Sequence, residues 1–220
     1  MKNIFYFLLF FSIHFSSFSK QKEENIKDII EYIRKYAVFA IQEMEKFGIP
    51  ASIKLGQGIL ESSSGRSLLS KTTNNHFGIK CGKNWKGEFS FHDDDLPKEC
   101  FRKYKSVRES FNDHSKFLLK PRYSKLFHLN KNDYKAWAIE LKKAGYATSL
   151  KYADLLIKQI EKYFLWKFDK EVSSGIENRI NKHLTFIMEK NKIETSNSIF
   201  IRFFRKVISL VKDKIREIKK

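Results

Sequence analysis

The apolar residues divide the chain into helical segments on either side of a turn-rich segment at residues 72–104. Residues 25–47 carry apolar side chains at the spacing of an amphipathic helix, and Gly48 ends that pattern. A second helix is predicted to begin near Pro50, because proline is tolerated in a first helical turn, and to end before Ser62.

The turn-rich segment has the pattern of a small β-hairpin. Phe89 and Phe91 alternate with polar neighbours, and an acidic loop at residues 93–95 precedes a second short strand around Phe101. Helical patterns resume after the hairpin. This order predicts an α+β fold over residues 20–166, with a mostly helical lobe, a small β-lobe and a cleft between them.

Capping residues predict where the later helices begin. Ser106 and Glu109 have the spacing of a capping box. Asp133 is predicted to cap a helix that Gly145 ends, and Ser149 to open the following one.

The first 19 residues have the layout of a secretory signal peptide. Lys2 precedes an apolar run at Ile4–Phe11, and Ser17 and Ser19 stand at positions −3 and −1 of a cleavage site. The run is shorter than the roughly 20 residues of a membrane span, although an uncleaved anchor is the alternative. We therefore expect export to the periplasm, the cell envelope or the extracellular space.

The charge of the chain indicates an anionic partner. Lys and Arg number 43 against 25 Asp and Glu, a formal charge of +18, and the 15% aromatic content excludes intrinsic disorder. Export argues against nucleic acid as that partner, and favours an anionic envelope polymer or a membrane surface.

Residues 167–220 are predicted to form a basic helical tail. Apolar residues repeat at spacings of three and four within residues 199–219, and Lys and Arg surround them. This pattern is typical of a helix that lies on an anionic membrane. A helix that packs on the main domain, or that self-associates, has the same pattern.

Glu61 is the candidate catalytic acid. It ends an apolar helix inside the segment 57–67. A carboxyl group flanked by apolar turns loses hydration, which raises its pKa and suits it to donate a proton near neutral pH. Cleavage of a glycosidic bond needs such an acid, although a Glu before a Ser/Gly loop is by itself more typical of a solvated helix end.

Four blocks occur in order at residues 57–67, 75–80, 101–106 and 144–153. Together they resemble the glucosaminidase family of peptidoglycan hydrolases, glycoside hydrolase family 73, which includes flagellar muramidase-like proteins and many autolysins. The resemblance covers roughly residues 30–165.

The resemblance implies a lysozyme-like fold and hydrolysis of the β-1,4 bond between N-acetylglucosamine and N-acetylmuramic acid in peptidoglycan glycan strands, with Glu61 as general acid. It also implies that Tyr146 lines the site opposite the acid. The family's cleft-shaping strand corresponds to Asn75, Phe77, Gly78, Ile79 and Lys80. Trp85 and Tyr104 are further candidates for sugar contact, with core packing as the alternative.

The chain departs from the family pattern at two places. Ser64 stands where the family commonly has Trp, which removes a sugar-stacking surface. The second carboxylate is assigned to Asp94 or Asp95, with Asp93, Glu88 and Glu99 as alternatives; the acidic run also fits a solvated turn. Retaining, inverting and substrate-assisted routes all stay open.

Cys81 and Cys100 flank the predicted hairpin. In an exported protein they are candidates for a disulfide, and two reduced buried thiols are the alternative. The spacings of His76, His92 and His114 match no ligand motif, so neither a metal nor a cofactor is predicted.

Three alternative functions remain. A muramidase or lytic transglycosylase would use the same Glu61 on the alternate bond. A silent peptidoglycan-binding protein would use the cleft without chemistry. A membrane-active protein would act through residues 167–220 alone.

Overall fold

The computed structural model describes residues 26–94 and 96–192. The predicted signal peptide (1–19), Asp95 and the apolar stripe at residues 199–219 lie outside the described residues. The chain divides into two compact units, one up to Ile180 and one from Asn181. None of the helices in the described residues has the length and apolar character that a membrane span needs.

The described part of the first unit is mostly helical with one small sheet. Its helices are α1 (26–47), α2 (Ala51–Ser62), α3 (Leu68–Thr73), α4 (Val107–Leu118), α5 (Tyr134–Lys143) and α6 (Tyr152–Lys162), with 3₁₀ helices at Pro121–His128 and Leu165–Lys170. Strands β1 (Phe89–His92) and β2 (Glu99–Arg102) pair antiparallel. A further helix, α7, comprises residues 177–180 and the described residues 181–192 of the second unit.

This architecture confirms the predicted α+β, lysozyme-like class. Helix α2 is its centre, because it is buried from Ala51 to Ile59 and packs against α5, α6 and the 3₁₀ helix Leu165–Lys170. Gly56 and Gly58 allow this close packing: a Cβ on Gly56 would lie 2.7 Å from Leu156 Cδ1, and one on Gly58 would lie 2.3 Å from Tyr32 Oη. The closeness of these neighbours accounts for two glycines inside a helix, where each costs about 1 kcal/mol relative to alanine.

The N-terminus of α2 is capped by a residue distant in sequence. Pro50 at the cap position provides no side-chain hydrogen bond. Instead, Asp169 accepts a bond from the Ser52 backbone N–H to Oδ1 at 2.7 Å and one from Ser52 Oγ to Oδ2 at 2.6 Å. Asp169 therefore holds the 3₁₀ helix Leu165–Lys170 against the start of α2.

The β-lobe is a two-stranded hairpin that is joined to residues 80–81 by a β-bridge and by a disulfide. Phe89 pairs with Arg102 and Phe91 with Cys100, and Lys80 forms an isolated bridge to Phe101. The predicted disulfide is confirmed: Cys81 and Cys100 are bonded, with 5.5 Å between their Cα atoms.

The predicted caps are confirmed at two of three helices. Ser106 accepts a hydrogen bond from Glu109 N, and Asp133 accepts one from Ala136 N at 3.0 Å. The prediction that Ser149 opens α6 was wrong, since that helix begins at Tyr152. Ser149 lies in the turn before the helix, where its Oγ accepts a hydrogen bond from Lys151 N. Helix α3 and the 3₁₀ helices were not predicted, since segments this short carry too few residues to show a period.

We expect Asp169→Ala to lower the free energy of unfolding by about 1–2 kcal/mol, the usual value of a lost helix cap, measured by urea denaturation. Burial raises the pKa of Asp169 to about 7, against the opposing effect of the Ser52 hydrogen bonds. Asp169→Asn imitates the uncharged form and keeps one acceptor, so it should lower the free energy of unfolding by less than Asp169→Ala does. Equal losses in the two variants would contradict the capping role.

Replacing both Cys81 and Cys100 by Ser should lower the free energy of unfolding by about 3 kcal/mol, because the disulfide closes a loop of roughly 20 residues. Wild-type protein treated with dithiothreitol is the matched control and should reproduce the loss. No change in the urea midpoint after complete reduction would refute a stabilising role for the disulfide.

Candidate active site

One cleft of about 1060 Å³ brings together most of the sequence-predicted site residues. Its lining includes Glu61 from the end of α2, Asp94 from the β-lobe and Tyr146 from the turn after α5. Among the other predicted residues, Phe77, Gly78 and Lys80 also line it. Residues far apart in sequence thus face one space large enough for several sugar rings.

The backbone after Glu61 folds back sharply. Ser63, Ser64 and Gly65 all have φ between 51° and 75°, in the left-handed region. Ser64 N–H donates to Ile59 O at 3.0 Å, and Gly65 N–H donates to the Ser62 side chain at 2.7 Å. This turn ends the helix at Ser62, one residue after Glu61, and the Glu61 side chain lies at the edge of the cleft.

The surroundings of Glu61 raise its pKa to about 7, chiefly because neighbouring protein removes hydration from its carboxyl. The side chain itself is exposed to the cleft, so a ligand can reach it. The negative charge of Asp94 raises the pKa further, and a hydrogen bond from the Tyr152 hydroxyl acts in the opposite direction. Tyr152 in turn accepts from Gln57 Nε2 at 2.8 Å, which leaves its own proton for Glu61.

Asp94 is held at the cleft by the β-lobe. Its Oδ2 lies 3.1 Å from Lys80 Nζ, and its backbone N–H donates to Leu96 O. Asp93 also lines the cleft, and its side chain accepts from Lys98 N at 2.8 Å. Of the two aspartates of the acidic run that the structure describes, Asp93 stabilises the turn and Asp94 acts electrostatically on Glu61.

The two glutamates considered for the second carboxylate are placed elsewhere. Glu99 contacts Lys80 Nζ at 2.8 Å, and Glu88 lies 2.8 Å from Lys103 Nζ. Neither is among the residues that line the cleft. The geometry therefore favours Asp94 over both.

Tyr146 is positioned by the end of α5. Gly145 has a φ of 72°, and Tyr146 N–H donates to Leu141 O at 3.0 Å, which is a Schellman motif. The Tyr146 hydroxyl lies 3.1 Å from His114 Nε2. Burial raises the pKa of Tyr146 well above its usual value, so the phenol keeps its proton.

Asn75, Trp85 and Tyr104 do not line the cleft. Asn75 is buried, and its Nδ2 donates to Ile79 O and Arg102 O, so it holds the loop that carries Phe77. The Trp85 ring lies under the Arg102 guanidinium at 4.6 Å, and the Tyr104 hydroxyl donates to Asp113 at 2.6 Å. Trp85 and Tyr104 border a second cavity of about 690 Å³.

Sequence reasoning missed a buried residue behind the site. Lys54, a fully buried cation on α2, contacts His114, which in turn contacts Tyr146. The only sequence signal was the presence of a lysine within the apolar segment before Glu61. Hydropathy alone would place this lysine on the exposed polar face of the helix.

This arrangement is chemically suited to acid catalysis. Glu61 can hold a proton near neutral pH, Asp94 is a nearby carboxylate, and Tyr146 presents a hydroxyl. One carboxyl of raised pKa beside a second carboxyl group is the arrangement that glycosidic cleavage uses.

Residues 37–165 match the model of a family described as glucosaminidase, mannosyl-glycoprotein endo-beta-N-acetylglucosaminidase. A similar curated protein is the exo-glucosaminidase LytG of Bacillus subtilis, 35% identical over 148 residues, which are 61% of this chain and 51% of that protein. The peptidoglycan hydrolase FlgJ of Vibrio parahaemolyticus is 29% identical over 67% of this chain and 50% of its own length. The chain thus spans about half the length of these relatives.

Solved structures show the same fold. The peptidoglycan hydrolase from Sphingomonas sp. A1 superposes with a TM-score of 0.56 at 29% identity, over 63% of this chain and 92% of that one. The glycoside hydrolase domain of FlgJ from Salmonella typhimurium superposes with a TM-score of 0.54 at 25% identity, over 73% and 97%.

We expect Asp94→Asn and Tyr152→Phe to move the pKa of Glu61 in opposite directions. Asp94→Asn removes a negative charge and should lower the pKa, whereas Tyr152→Phe removes a hydrogen bond to the carboxylate and should raise it. Titration of the Glu61 side-chain carboxyl by ¹³C NMR measures both. Shifts of the same sign would contradict the assigned causes.

Proposed function

Because the chain belongs to the glucosaminidase family, we propose that it is a peptidoglycan hydrolase that cleaves the β-1,4 bond between N-acetylglucosamine and N-acetylmuramic acid within glycan strands. The observation that carries the proposal is Glu61 at the edge of a cleft, with its pKa near 7 beside Asp94 and Tyr146. Similarity to the Bacillus and Vibrio hydrolases supports the same class of substrate.

In the proposed reaction Glu61 donates its proton to the glycosidic oxygen, which is a poor leaving group until it is protonated. The positive charge that develops on the sugar ring is stabilised by the carboxylate of Asp94. Asp94, or Asp95 beside it in sequence, then assists the attacking water. With water as the attacking group, the route is inverting. In a substrate-assisted route the acetamido oxygen of the sugar attacks the anomeric carbon first, and water then opens the resulting oxazoline.

The cleft offers surfaces for sugar rings despite Ser64 at the position of the family's tryptophan. Phe91 and Leu68 both line the cleft and are 60% and 68% exposed. Phe91 also contacts Phe89 edge-to-face at 5.4 Å, which fixes its ring on the β-lobe. We propose Phe91 as the aromatic sugar contact of this chain.

We place the enzyme in the cell envelope, as the signal-like N-terminus predicts. The disulfide between Cys81 and Cys100 supports this location, because disulfides persist in oxidising compartments. The basic charge of the chain suits a wall that carries anionic groups. From the apolar and basic pattern of residues 199–219, we propose that this segment binds a membrane or self-associates.

The test is a digest of purified peptidoglycan by wild type, Glu61→Gln and Glu88→Gln, with borohydride-reduced products identified by mass spectrometry. Glu61→Gln should lower the rate by about 10²–10⁴-fold, the usual contribution of a general acid. Glu88→Gln is the matched control: it makes the same substitution at an exposed position outside the cleft and should keep wild-type activity.

Products that end in reduced N-acetylglucosamine would establish the bond. Reduced N-acetylmuramic acid or anhydro ends would instead indicate a muramidase or lytic transglycosylase that uses the same acid. No release of glycan fragments by wild type would favour a binding protein. Equal release of fragments by wild type and Glu61→Gln would show that Glu61 is not the general acid. Release of short fragments only from chain ends would indicate an exo-acting enzyme, as LytG is named.

A further inference from the structure

Lys54 is fully buried on the helix that carries Glu61, and the reaction above does not use it. Its Nζ donates to Phe111 O at 2.6 Å and to Ser115 Oγ at 2.8 Å, and it lies 3.0 Å from His114 Nδ1. A lysine ammonium has three protons and no lone pair. These three neighbours therefore provide one acceptor for each proton.

This contact determines the tautomer of His114. Because the ammonium can only donate, Nδ1 of His114 accepts and carries no proton. Burial and the charge of Lys54 both lower the pKa of His114 well below its usual value, so the ring is neutral. A neutral imidazole with a bare Nδ1 carries its one proton on Nε2.

The tautomer of His114 in turn determines the direction of the Tyr146 hydroxyl. Nε2 lies 3.1 Å from Tyr146 Oη and donates to it. The phenolic proton is then free to point away from His114. Tyr146 lines the same cleft as Glu61, so this proton can reach an acceptor that is bound there.

We propose that Lys54 and His114 are positioning residues that hold the Tyr146 hydroxyl as a hydrogen-bond donor to an acceptor oxygen of the bound glycan. The inference rests on the proposed hydrolysis of glycan strands. In it, two buried residues determine the direction of one hydrogen bond to the reacting sugar. Lys54 and Glu61 lie seven residues, about two turns, apart on α2. The same helix therefore carries the acid and the lysine that begins the series of contacts to Tyr146.

The packing around the chain of contacts restricts its geometry. The His114 ring stacks on Phe77 with 4.0 Å between centroids and 9° between planes, which fixes the ring plane. Lys54 Nζ lies 5.0 Å from the centroid of Phe77 and 5.5 Å from that of Phe111, and both rings stabilise the charge. The direction of the bonds then depends on protonation rather than on movement of side chains.

Protonation of Lys54 therefore controls the arrangement. Burial lowers the pKa of Lys54 to about 7, against the charges of Glu43 on α1 and Asp113 on α4, which raise it. Once Lys54 loses its proton, the neutral amine has a lone pair and accepts from Nδ1–H. Nε2 then becomes an acceptor, and the Tyr146 proton turns away from the cleft towards His114.

The first test reads the tautomer by two-dimensional ¹H–¹⁵N NMR of the full-length protein. At pH 5.5 the wild-type His114 should be the Nε2–H form, and the Nδ1–H form should appear as the pH rises past 7. Lys54→Met should give a mixture of tautomers at pH 5.5. A wild-type ring in the Nδ1–H form at pH 5.5, or a tautomer that does not change up to pH 9, would overturn the inference.

The second test is a double-mutant cycle on peptidoglycan hydrolysis. Tyr146→Phe should lower kcat by about 100-fold, the usual effect of removing one preorganised donor, and Lys54→Met by about tenfold or more. In the Tyr146→Phe background, Lys54→Met should change kcat by less than about twofold, because the hydroxyl it directs is gone. Independent, multiplying effects would show a merely structural role and refute the proposal.

His114 provides the conservative comparison. His114→Gln keeps an N–H donor near the Nε2 position and should retain more activity than His114→Met, which has none, and circular dichroism verifies that both fold. Equal kcat in the two variants would count against the proposal. Should wild type release no glycan fragments, the proposed function fails, while the NMR tautomer of His114 still decides whether Lys54 directs the hydrogen bonds.

Discussion

Helix α2 is buried along almost its whole length, so its buried polar side chains need partners inside the protein. Ser52 at its start finds Asp169, Lys54 finds His114 and Gln57 finds Tyr152. These partners come from the chain that follows the hairpin. Satisfying the polar groups of one helix therefore determines where the later helices lie against it.

The same requirement produces the chemistry of the cleft. Tyr152 bonds Gln57 and acts on the carboxyl of Glu61, and His114 bonds Lys54 and contacts the hydroxyl of Tyr146. A buried helix with apolar residues alone would pack as well, yet it would leave the acid and the tyrosine without fixed neighbours. Core stability and site geometry thus depend on the same few hydrogen bonds.

Much of the fold was predictable because its signals are local. The periodicity of α1 and α2, the alternation of the hairpin and the caps Ser106 and Asp133 all depend on residues within a few positions of each other. Glu61, Phe77 and Tyr146 were placed by a resemblance between whole sequence blocks, and the structure brings them to one cleft.

The parts that were missed depend on distant contacts. Asp169 caps α2 from 117 positions away, and Lys54 meets His114 from 60 away, so neither role leaves a pattern in neighbouring residues. Asn75 shows a related difficulty, because a polar residue inside a family motif can bind backbone as readily as sugar. Only the position of its amide, which bonds Ile79 and Arg102, separates the two.

The separation of Glu61 from Asp94 and Tyr152 along the chain has a consequence for the newly made polypeptide. In an unfolded chain a glutamate has a pKa of about 4.3, so Glu61 is ionised at neutral pH and has no proton to give. It acquires a pKa of about 7 only when the segments around it have assembled. In a nascent polypeptide Glu61 is therefore ionised at neutral pH, and a carboxyl that can donate a proton there appears only on folding.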